Sequence, residues 1–165
     1  MNAELPADAR AVVVTASNRA SAGVYADRSG AALAAGLRDL GFAVEGPHVC
    51  PDDVEQLAQV LRAAVAEGAD VVLTTGGTGI SPTDVTPEAT RAVLERDAPG
   101  IAEAVRRYGA DHVPTSVLSR GVAGTAGRTL IVNLPGSTGG VRDGLAVLGP
   151  LLPHVVSQLR GGDHV

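Results

Sequence analysis

Residues 71–84 read VVLTTGGTGISPTD, and this stretch joins an apolar segment to a glycine-rich polar loop. Its three leading residues are all apolar, which predicts a strand buried on both faces rather than a half-exposed one. Residues 11–16 (AVVVTA) and 130–134 (LIVNL) have the same character, and residues 42–49 form a further extended stretch. The chain therefore contains several strands of the kind found in the interior of a parallel sheet.

Helical periodicity separates these strands. Leucines and valines recur three or four residues apart, with glycines where C-terminal caps would fall and with Thr86 as a possible N-cap before Pro87. The predicted helices cover residues 33–40, residues 54–65, a segment from about Pro87, one or two turns at residues 101–105 after a break at residues 97–100, and residues 141–159 with interruptions at Pro150 and Pro153. Residues 112–127 give only a weak pattern. The alternation of buried strands and amphipathic helices predicts an α/β fold with a mostly parallel sheet.

The length of 165 residues fits one domain. We expect a single domain over residues 1–165, with an ordered core of about residues 11–160 and disordered ends at residues 1–10 and 161–165. Residues 1–10 carry no positively charged region followed by an apolar core, and no apolar run is long enough to cross a bilayer. These features predict a cytoplasmic protein without a membrane partner.

The composition excludes several kinds of chemistry. All 13 basic residues are arginines, so the chain has no lysine for a P-loop or a Schiff base. A net charge of −5 and only three aromatic residues argue against nucleic-acid binding. Cys50 is the only cysteine, which excludes an intramolecular disulfide; a buried core residue is the preferred interpretation, and a thiolate nucleophile is the alternative.

Four polar loops follow the predicted strands, and a parallel sheet would bring all four to one edge. They begin at Ser17, Cys50, Thr74 and Asn133. The most informative contains Gly76, Gly77, Thr78 and Gly79, because residues without a Cβ let backbone N–H groups close round an anion. We expect this loop to bind phosphate, although a simple tight turn is the alternative.

Two carboxylates accompany the glycine loop. Asp52 and Asp84 would suit Mg²⁺, which proteins usually hold with one or two carboxylates together with water and substrate phosphates. Each has a structural alternative: Asp52 has capping-box spacing to Glu55, and Asp84 could stabilise the start of the following helix.

Other polar residues of these loops are weaker candidates. Arg19, Arg28 and Arg120 could bind phosphate, or could be solvated surface charges. Ser119 and Ser137 have no GxSxG motif around them, so ligand hydrogen bonding is preferred to serine-hydrolase chemistry.

Four segments carry a resemblance to a known family. Along the chain these are SNRASAGVYADRSG, TTGGTGISPTDVTPEAT, LSRGVAG and LIVNLPGS, which is the family's order, and the similarity spans about residues 12–159. The chain resembles the molybdopterin adenylyltransferase family, whose relatives include MoaB-type proteins and the corresponding domain of gephyrin. The resemblance implies a three-layer α/β/α fold, a homotrimer, and transfer of AMP from MgATP to the terminal phosphate of molybdopterin with release of pyrophosphate.

The same resemblance implies roles for individual residues. It makes Asp52 and Asp84 the catalytic and Mg²⁺-binding pair, and it makes residues 76–79 the phosphate-binding loop. Substrate contacts would come from Ser17, Ser119, Pro135, Gly136 and Ser137. Product handover to the molybdenum-insertion protein of the pathway is a further expectation.

Two positions depart from the family's pattern. Asn18 stands where many members have an aspartate, and Thr83 stands where many have an arginine. These departures keep two other hypotheses open. One is a trimeric MoaB-type module that binds molybdopterin with little or no catalysis. The other is adenylylation of a different phosphorylated small molecule.

Overall fold

Six strands form one sheet in the computed structural model, which describes residues 3–163. The strands are β1 (Arg10–Ala16), β2 (Ala43–Cys50), β3 (Val71–Thr75), β4 (Arg96–Asp97), β5 (Ala123–Ala126) and β6 (Thr129–Leu134), in the spatial order β2-β1-β3-β6-β5-β4. Strands β2, β1, β3 and β6 are mutually parallel, whereas β5 is antiparallel to both of its neighbours. The predicted mostly parallel α/β sheet is therefore confirmed.

Helices cover both faces of this sheet. They are α1 (Asn18–Ser21), α2 (Arg28–Asp39), α3 (Val54–Ala66), α4 (Thr86–Arg91), α5 (Pro99–Ala110), α6 (Thr138–Leu148) and α7 (Leu152–Leu159), with a 3-10 helix at Pro114–Leu118. Buried residues of α2, α5, α6 and α7 pack on one face of the sheet, and those of α3 and α4 pack on the other. Among the described helices, none combines the length and the apolar character needed to cross a membrane.

Burial on both faces explains why the apolar residues of the central strands are consecutive instead of alternating with polar ones. Val13 belongs to the core beneath α2, whereas Val12 and Val14 belong to the core beneath α3. All three are buried, with relative exposures of 2% or less. Because successive side chains of a strand point to opposite faces, a strand covered on both sides buries consecutive side chains, and these are mostly apolar.

Some boundaries differ from the sequence predictions. Helix α4 begins at Thr86, but Val85 occupies the N-cap position and supplies no side-chain cap; the Thr86 hydroxyl instead donates to the Gly76 carbonyl oxygen at 3.0 Å. Helix α5 is longer than expected, because Pro99 opens the helix instead of ending the break before it. Pro153 likewise lies in the first turn of α7, so Pro150 alone of the two prolines lies between α6 and α7.

The weakly patterned residues 112–127 contain the 3-10 helix and strand β5, which the sequence did not predict. Of the ends expected to be disordered, residues 1, 2, 164 and 165 lie outside the described residues. Ala9 is fully buried in the core beneath α2, and Arg10 opens β1.

An ion-pair network fastens the edge of the sheet where the parallel strands begin. Asp70, just before β3, is 6% exposed. Arg160, the C-cap of α7, donates from Nε and Nη2 to the two carboxylate oxygens of Asp70, both at 2.8 Å, and from Nη1 to Asp8 at 2.8 Å. The backbone N–H of Arg10 adds a hydrogen bond to Asp70 at 2.9 Å. The network therefore ties both chain ends to the middle of the sheet.

Candidate functional site

The loops after β1, β2, β3 and β6 meet at the carboxyl edge of the sheet, as the sequence predicts. Two open clefts, of about 700 and 520 Å³, lie side by side there. The first, which we call the β1 cleft, is lined mainly by the loops after β1, β2 and β3; the second, the β6 cleft, by those after β3 and β6 and by the 3-10 segment. Gly77, Asp84 and Gly136 line both clefts.

Close backbone packing holds the glycine loop against its neighbours. Gly76 has φ +92°, and a Cβ atom there would lie 2.3 Å from the carbonyl oxygen of Ala16. A Cβ on Gly136 would lie 3.1 Å from the Cα of Gly76. Side chains at these positions would force the loops apart, so glycine is required for the two clefts to share a wall.

The hydrogen bonds of the glycine loop use its carbonyl oxygens and leave three of its N–H donors free. The carbonyl oxygens of Gly76 and Gly77 accept from the hydroxyl and N–H of Thr86, and those of Thr78 and Gly79 accept from Arg120. The N–H groups of Gly77, Thr78 and Gly79, by contrast, have no acceptor among residues 3–163. Such an array of free N–H groups is suited to binding an anion.

The sequence prediction needs one correction within this loop. Gly76 was included among the N–H donors, but its N–H bonds to the carbonyl oxygen of Leu134 at 3.1 Å. That hydrogen bond extends the pairing of β3 with β6 beyond Thr75. Gly76 therefore shapes the loop, and the free donors begin at Gly77.

Arg120 fixes the far side of the loop rather than standing free for phosphate. Its Nε donates to the carbonyl oxygen of Gly79 at 2.8 Å and its Nη2 to that of Asp84 at 2.7 Å, while Nη1 pairs with Glu88. The hydrogen bond from Arg120 lowers the pKa of Glu88. Because these donors are committed within the protein, Arg120 fits neither of the two alternatives, a free phosphate-binding residue or a solvated surface charge.

Asp52 is not a helix cap. The N-cap of α3 is Asp53, whose side chain accepts from the N–H of Gln56 at 2.8 Å. Asp52 Oδ2 accepts from the backbone N–H of Asn18 at 3.2 Å, whereas Oδ1 is buried and has no hydrogen-bond partner among residues 3–163. Burial raises the pKa of Asp52, as does the charge of Asp84, although the hydrogen bond from Asn18 opposes them. The capping alternative is therefore excluded for Asp52.

Asp84 closes a turn in the same loop. Its Oδ2 accepts from the N–H of Ser81 at 3.1 Å, and its own N–H donates to the Ser81 carbonyl at 2.9 Å. It lies outside α4 and gives that helix no capping hydrogen bond. The turn holds the Asp84 carboxylate at the wall between the two clefts.

Two carboxylates in one cleft are compatible with a divalent cation. No donor among the described residues reaches the buried Asp52 Oδ1, and a Cβ on Gly77 would lie 3.1 Å from this oxygen, so it faces the glycine loop. The described residues contain no cluster of three or more acidic, histidine or cysteine side chains that could hold a metal by themselves. The arrangement therefore fits Mg²⁺ only if substrate phosphates and water complete its coordination.

The remaining candidate residues divide between the clefts. Ser17 lines the β1 cleft, and Ser119, Pro135 and Ser137 line the β6 cleft. The Ser17 and Ser137 hydroxyls cap α1 and α6 by accepting from the N–H groups of Ala20 and Gly140, and Ser119 accepts from Gly121. The carbonyl oxygen of Pro135 accepts from the hydroxyl of Thr75.

Two of the three arginine candidates remain open to a ligand. Arg19 and Arg28 line the β1 cleft, and neither has a side-chain hydrogen bond or ion pair within residues 3–163. Cys50 is buried, and burial raises the pKa of its thiol, which agrees with the preferred interpretation as a core residue.

Sequence reasoning missed two features of the site. Asp27 lines the β1 cleft, caps α2 through the N–H of Gly30 and accepts from the hydroxyl of Thr15; its Asp-x-x-Gly spacing before a helix could have indicated the cap. His112 and Asp143 pair at 2.9 Å on the β6 cleft, and no local pattern joins residues so far apart in sequence.

Comparisons with known proteins show which family this chain resembles. A family model described as "Probable molybdopterin binding domain" matches residues 12–154. The molybdopterin adenylyltransferase of Helicobacter pylori strain J99 is 38% identical over 155 residues, covering 90% of this chain and 86% of that protein. The molybdenum cofactor biosynthesis bifunctional protein of Chlorobaculum tepidum is 36% identical over 94% of this chain, but the chain spans only 50% of that protein.

A solved structure has the same fold. The molybdopterin biosynthesis Mog protein from Mycobacterium ulcerans superposes with a TM-score of 0.87 at 51% identity, covering 92% of this chain and 99% of that one. The three-layer α/β fold of the MoaB/Mog type is thereby confirmed. On the strength of the matched residues and of relatives aligned over most of its length, the chain belongs to the molybdopterin-binding domain family of molybdenum cofactor biosynthesis.

Proposed function

We propose that this chain is a molybdopterin adenylyltransferase, which transfers AMP from ATP to the terminal phosphate of molybdopterin and releases pyrophosphate. The observation that carries the proposal is the wall between the two clefts. Gly77, whose N–H is free, and Asp84 lie on that wall, so ligands in the two clefts would meet there. Family membership and the named relatives supply the identity of the substrates.

The reaction requires little acid–base chemistry. A terminal phosphate oxygen of molybdopterin attacks the α-phosphorus of ATP, and the bond from that phosphorus to the bridging oxygen of pyrophosphate breaks. The nucleophile is already anionic at neutral pH, so no lysine or strong general base is needed. The work of the protein is to align the two phosphates and to stabilise the developing charge.

The residues of the two clefts would divide this work. The N–H groups of Gly77, Thr78 and Gly79 would donate to phosphate oxygens. Asp52 and Asp84 would hold Mg²⁺, which neutralises phosphate charge when it is bound. Arg19 and Arg28 would bind anionic groups of the ligand in the β1 cleft.

The cellular setting belongs to the same proposal. We infer a cytoplasmic enzyme that acts as a homotrimer and passes adenylylated molybdopterin to the molybdenum-insertion protein of the pathway. Ser17 in the β1 cleft, and Ser119, Pro135, Gly136 and Ser137 in the β6 cleft, would complete the contacts with ATP and molybdopterin.

The test is pyrophosphate release from ATP by the purified protein with Mg²⁺ and molybdopterin. Asp84→Asn keeps an acceptor for the Ser81 N–H but loses the charge, and we expect kcat to fall about 100-fold or more, as for the loss of a charge-stabilising group at a reaction centre. Asp39→Asn makes the same chemical change at an exposed position of α2 and should leave kcat unchanged.

Three outcomes would contradict the proposal. Full activity of Asp84→Asn would remove the role assigned to that carboxylate. Tight molybdopterin binding without AMP transfer would indicate a non-catalytic binding module. Turnover with another phosphorylated compound and none with molybdopterin would indicate a different substrate.

A further inference from the structure

Asn18 and Asp52 are joined by two hydrogen bonds that cross between different loops. The side-chain oxygen of Asn18 accepts from the backbone N–H of Asp52 at 2.8 Å, and the backbone N–H of Asn18 donates to Asp52 Oδ2 at 3.2 Å. The two residues are 34 positions apart, one following β1 and the other following β2. Each residue therefore uses its backbone N–H and one side-chain oxygen to hold the other.

This reciprocal pair determines which oxygen of Asp52 stays free. Oδ2 is held by Asn18, so rotation of the carboxylate about its last bond would break a hydrogen bond. Oδ1 is left buried without a partner and directed at Gly77. A buried carboxylate oxygen with no donor is costly to maintain unless a ligand completes it.

The local fold does not otherwise require this pair. Asp53 already caps α3, and Ser17 already caps α1, so neither helix needs Asn18 or Asp52 to begin. The N–H of Ser17 also bonds to the Cys50 carbonyl at 2.9 Å, which joins the two loops independently. The main effect of the Asn18–Asp52 pair is therefore to orient the Asp52 carboxylate, and its contribution to the stability of the loops is secondary.

We propose that Asn18 is a positioning residue, whose side-chain oxygen and backbone N–H orient the Asp52 carboxylate so that Oδ1 faces the phosphate-binding loop. This inference rests on the proposed function for its kinetic consequence, but its structural content is independent of the substrate.

The perturbation is Asn18→Ala, which removes the acceptor for the Asp52 N–H and retains the backbone donor. We expect kcat for AMP transfer to fall about tenfold, the effect of losing roughly 1.4 kcal/mol of alignment, with KM for ATP changed less than about twofold. Asn18→Asp restores an acceptor of the same size at the same place and should recover activity to within about threefold of the original. Gln59→Ala removes an exposed amide from α3 and serves as the control.

Two measurements do not depend on turnover. In ¹H–¹⁵N spectra the Asp52 amide proton should move upfield in Asn18→Ala and stay near its original position in Asn18→Asp, because only the former loses the acceptor. Crystal structures of the same variants should show Asp52 Oδ1 turned away from Gly77 in Asn18→Ala alone.

The outcomes separate this inference from the function. If the unaltered protein transfers AMP and Asn18→Ala retains its kcat, the positioning role is wrong. If the unaltered protein transfers no AMP, the proposed function fails, and the position of Asp52 in the Asn18→Ala crystal structure decides the inference: an unmoved carboxylate overturns it, and a rotated one supports it. Loss of activity that Asn18→Asp does not restore also overturns it.

Discussion

Arg160→Ala would remove the ion-pair network at the amino edge of the parallel strands, opposite the clefts. Arg160 gives Asp70 two hydrogen bonds of 2.8 Å, and the Asp70 side chain is 7% exposed. After the substitution, the backbone N–H of Arg10 is the remaining donor to this carboxylate among the described residues. A nearly buried negative charge would then be left with one neutral donor.

The expected loss lies between two limits. Removing one partner of a fully buried ion pair costs about 3–5 kcal/mol, whereas an exposed pair contributes less than about 1 kcal/mol. The Arg160 side chain is 32% exposed, so water partly screens the pair. We expect the free energy of unfolding to fall by about 2–3 kcal/mol, which lowers Tm by roughly 4–12 °C for a chain of this length.

The pH dependence gives a sharper signature. Burial alone would raise the pKa of Asp70, but the hydrogen bonds from Arg160 and Arg10 outweigh it and the pKa is lowered. A carboxyl with a lowered pKa in the folded state adds stability above its unfolded pKa of about 3.9, and this stability is lost as the pH falls through the folded pKa. In Arg160→Ala, the hydrogen bonds and the charge of Arg160, which oppose the effect of burial, are lost, so the pKa of Asp70 rises. The deficit should therefore be largest near neutral pH and shrink below about pH 4.

The assay is urea unfolding at pH 7 and at several values down to pH 3, at one fixed protein concentration so that any oligomer contributes equally. Arg38→Ala, at an exposed position of α2 without an ion pair among the described residues, is the control and should change stability by less than about 0.5 kcal/mol. A deficit below about 0.5 kcal/mol at pH 7, or one that stays constant across the pH range, would refute the reasoning.

Two further predictions concern the edge where the clefts lie. Gly77 has φ +66°, and a Cβ there would lie 2.3 Å from Thr86 Oγ1, so Gly77→Ala should destabilise the protein by more than the roughly 1–2 kcal/mol of a left-handed alanine and should weaken ATP binding. Gly68→Ala is the control, because Gly68 has φ +81° with nothing within 4 Å of a Cβ, and it should show only the conformational cost. Equal losses of stability in urea unfolding would exclude the clash at Gly77. Arg120→Ala removes the hydrogen bonds to the carbonyl oxygens of Gly79 and Asp84, so KM for ATP should rise several-fold. An unchanged KM would show that the loop keeps its shape without Arg120.

Much of the fold could be predicted because burial on both faces leaves a strong pattern. Strands β1, β3 and β6 are continuous apolar runs, and the parallel arrangement then sends their following loops to one edge. Strand β5 could not be found in this way, since its sequence AGTA is made of small residues that carry neither bulk nor β-branching except at Thr125. Its place is decided by pairing with β6 and β4, which is tertiary information.

The candidate site shows the same limit at the level of single side chains. Asp52 and Asp53 are neighbours with identical chemistry, and only the backbone decides that Asp53, at φ −138° and ψ 124°, meets the N–H of Gln56 as the cap. Arg120 resembled a phosphate-binding residue because its partners are backbone carbonyls that no sequence pattern marks. Residue type thus predicted which chemical groups are available, and the geometry decided which residue of a given type takes each role.

The length of strand β3 separates the ion-pair network at its start from the glycine loop at its end. Asp70 precedes it and Gly76 follows it, and six steps at about 3.3 Å put the ion-pair network roughly 20 Å from the glycine loop. Substitutions so far apart, with no shared partners, add in their effects on stability. Stabilising changes at the amino edge of the parallel strands can therefore offset costly changes at the carboxyl edge, which leaves the substrate loops free to diverge or to be redesigned without unfolding the chain.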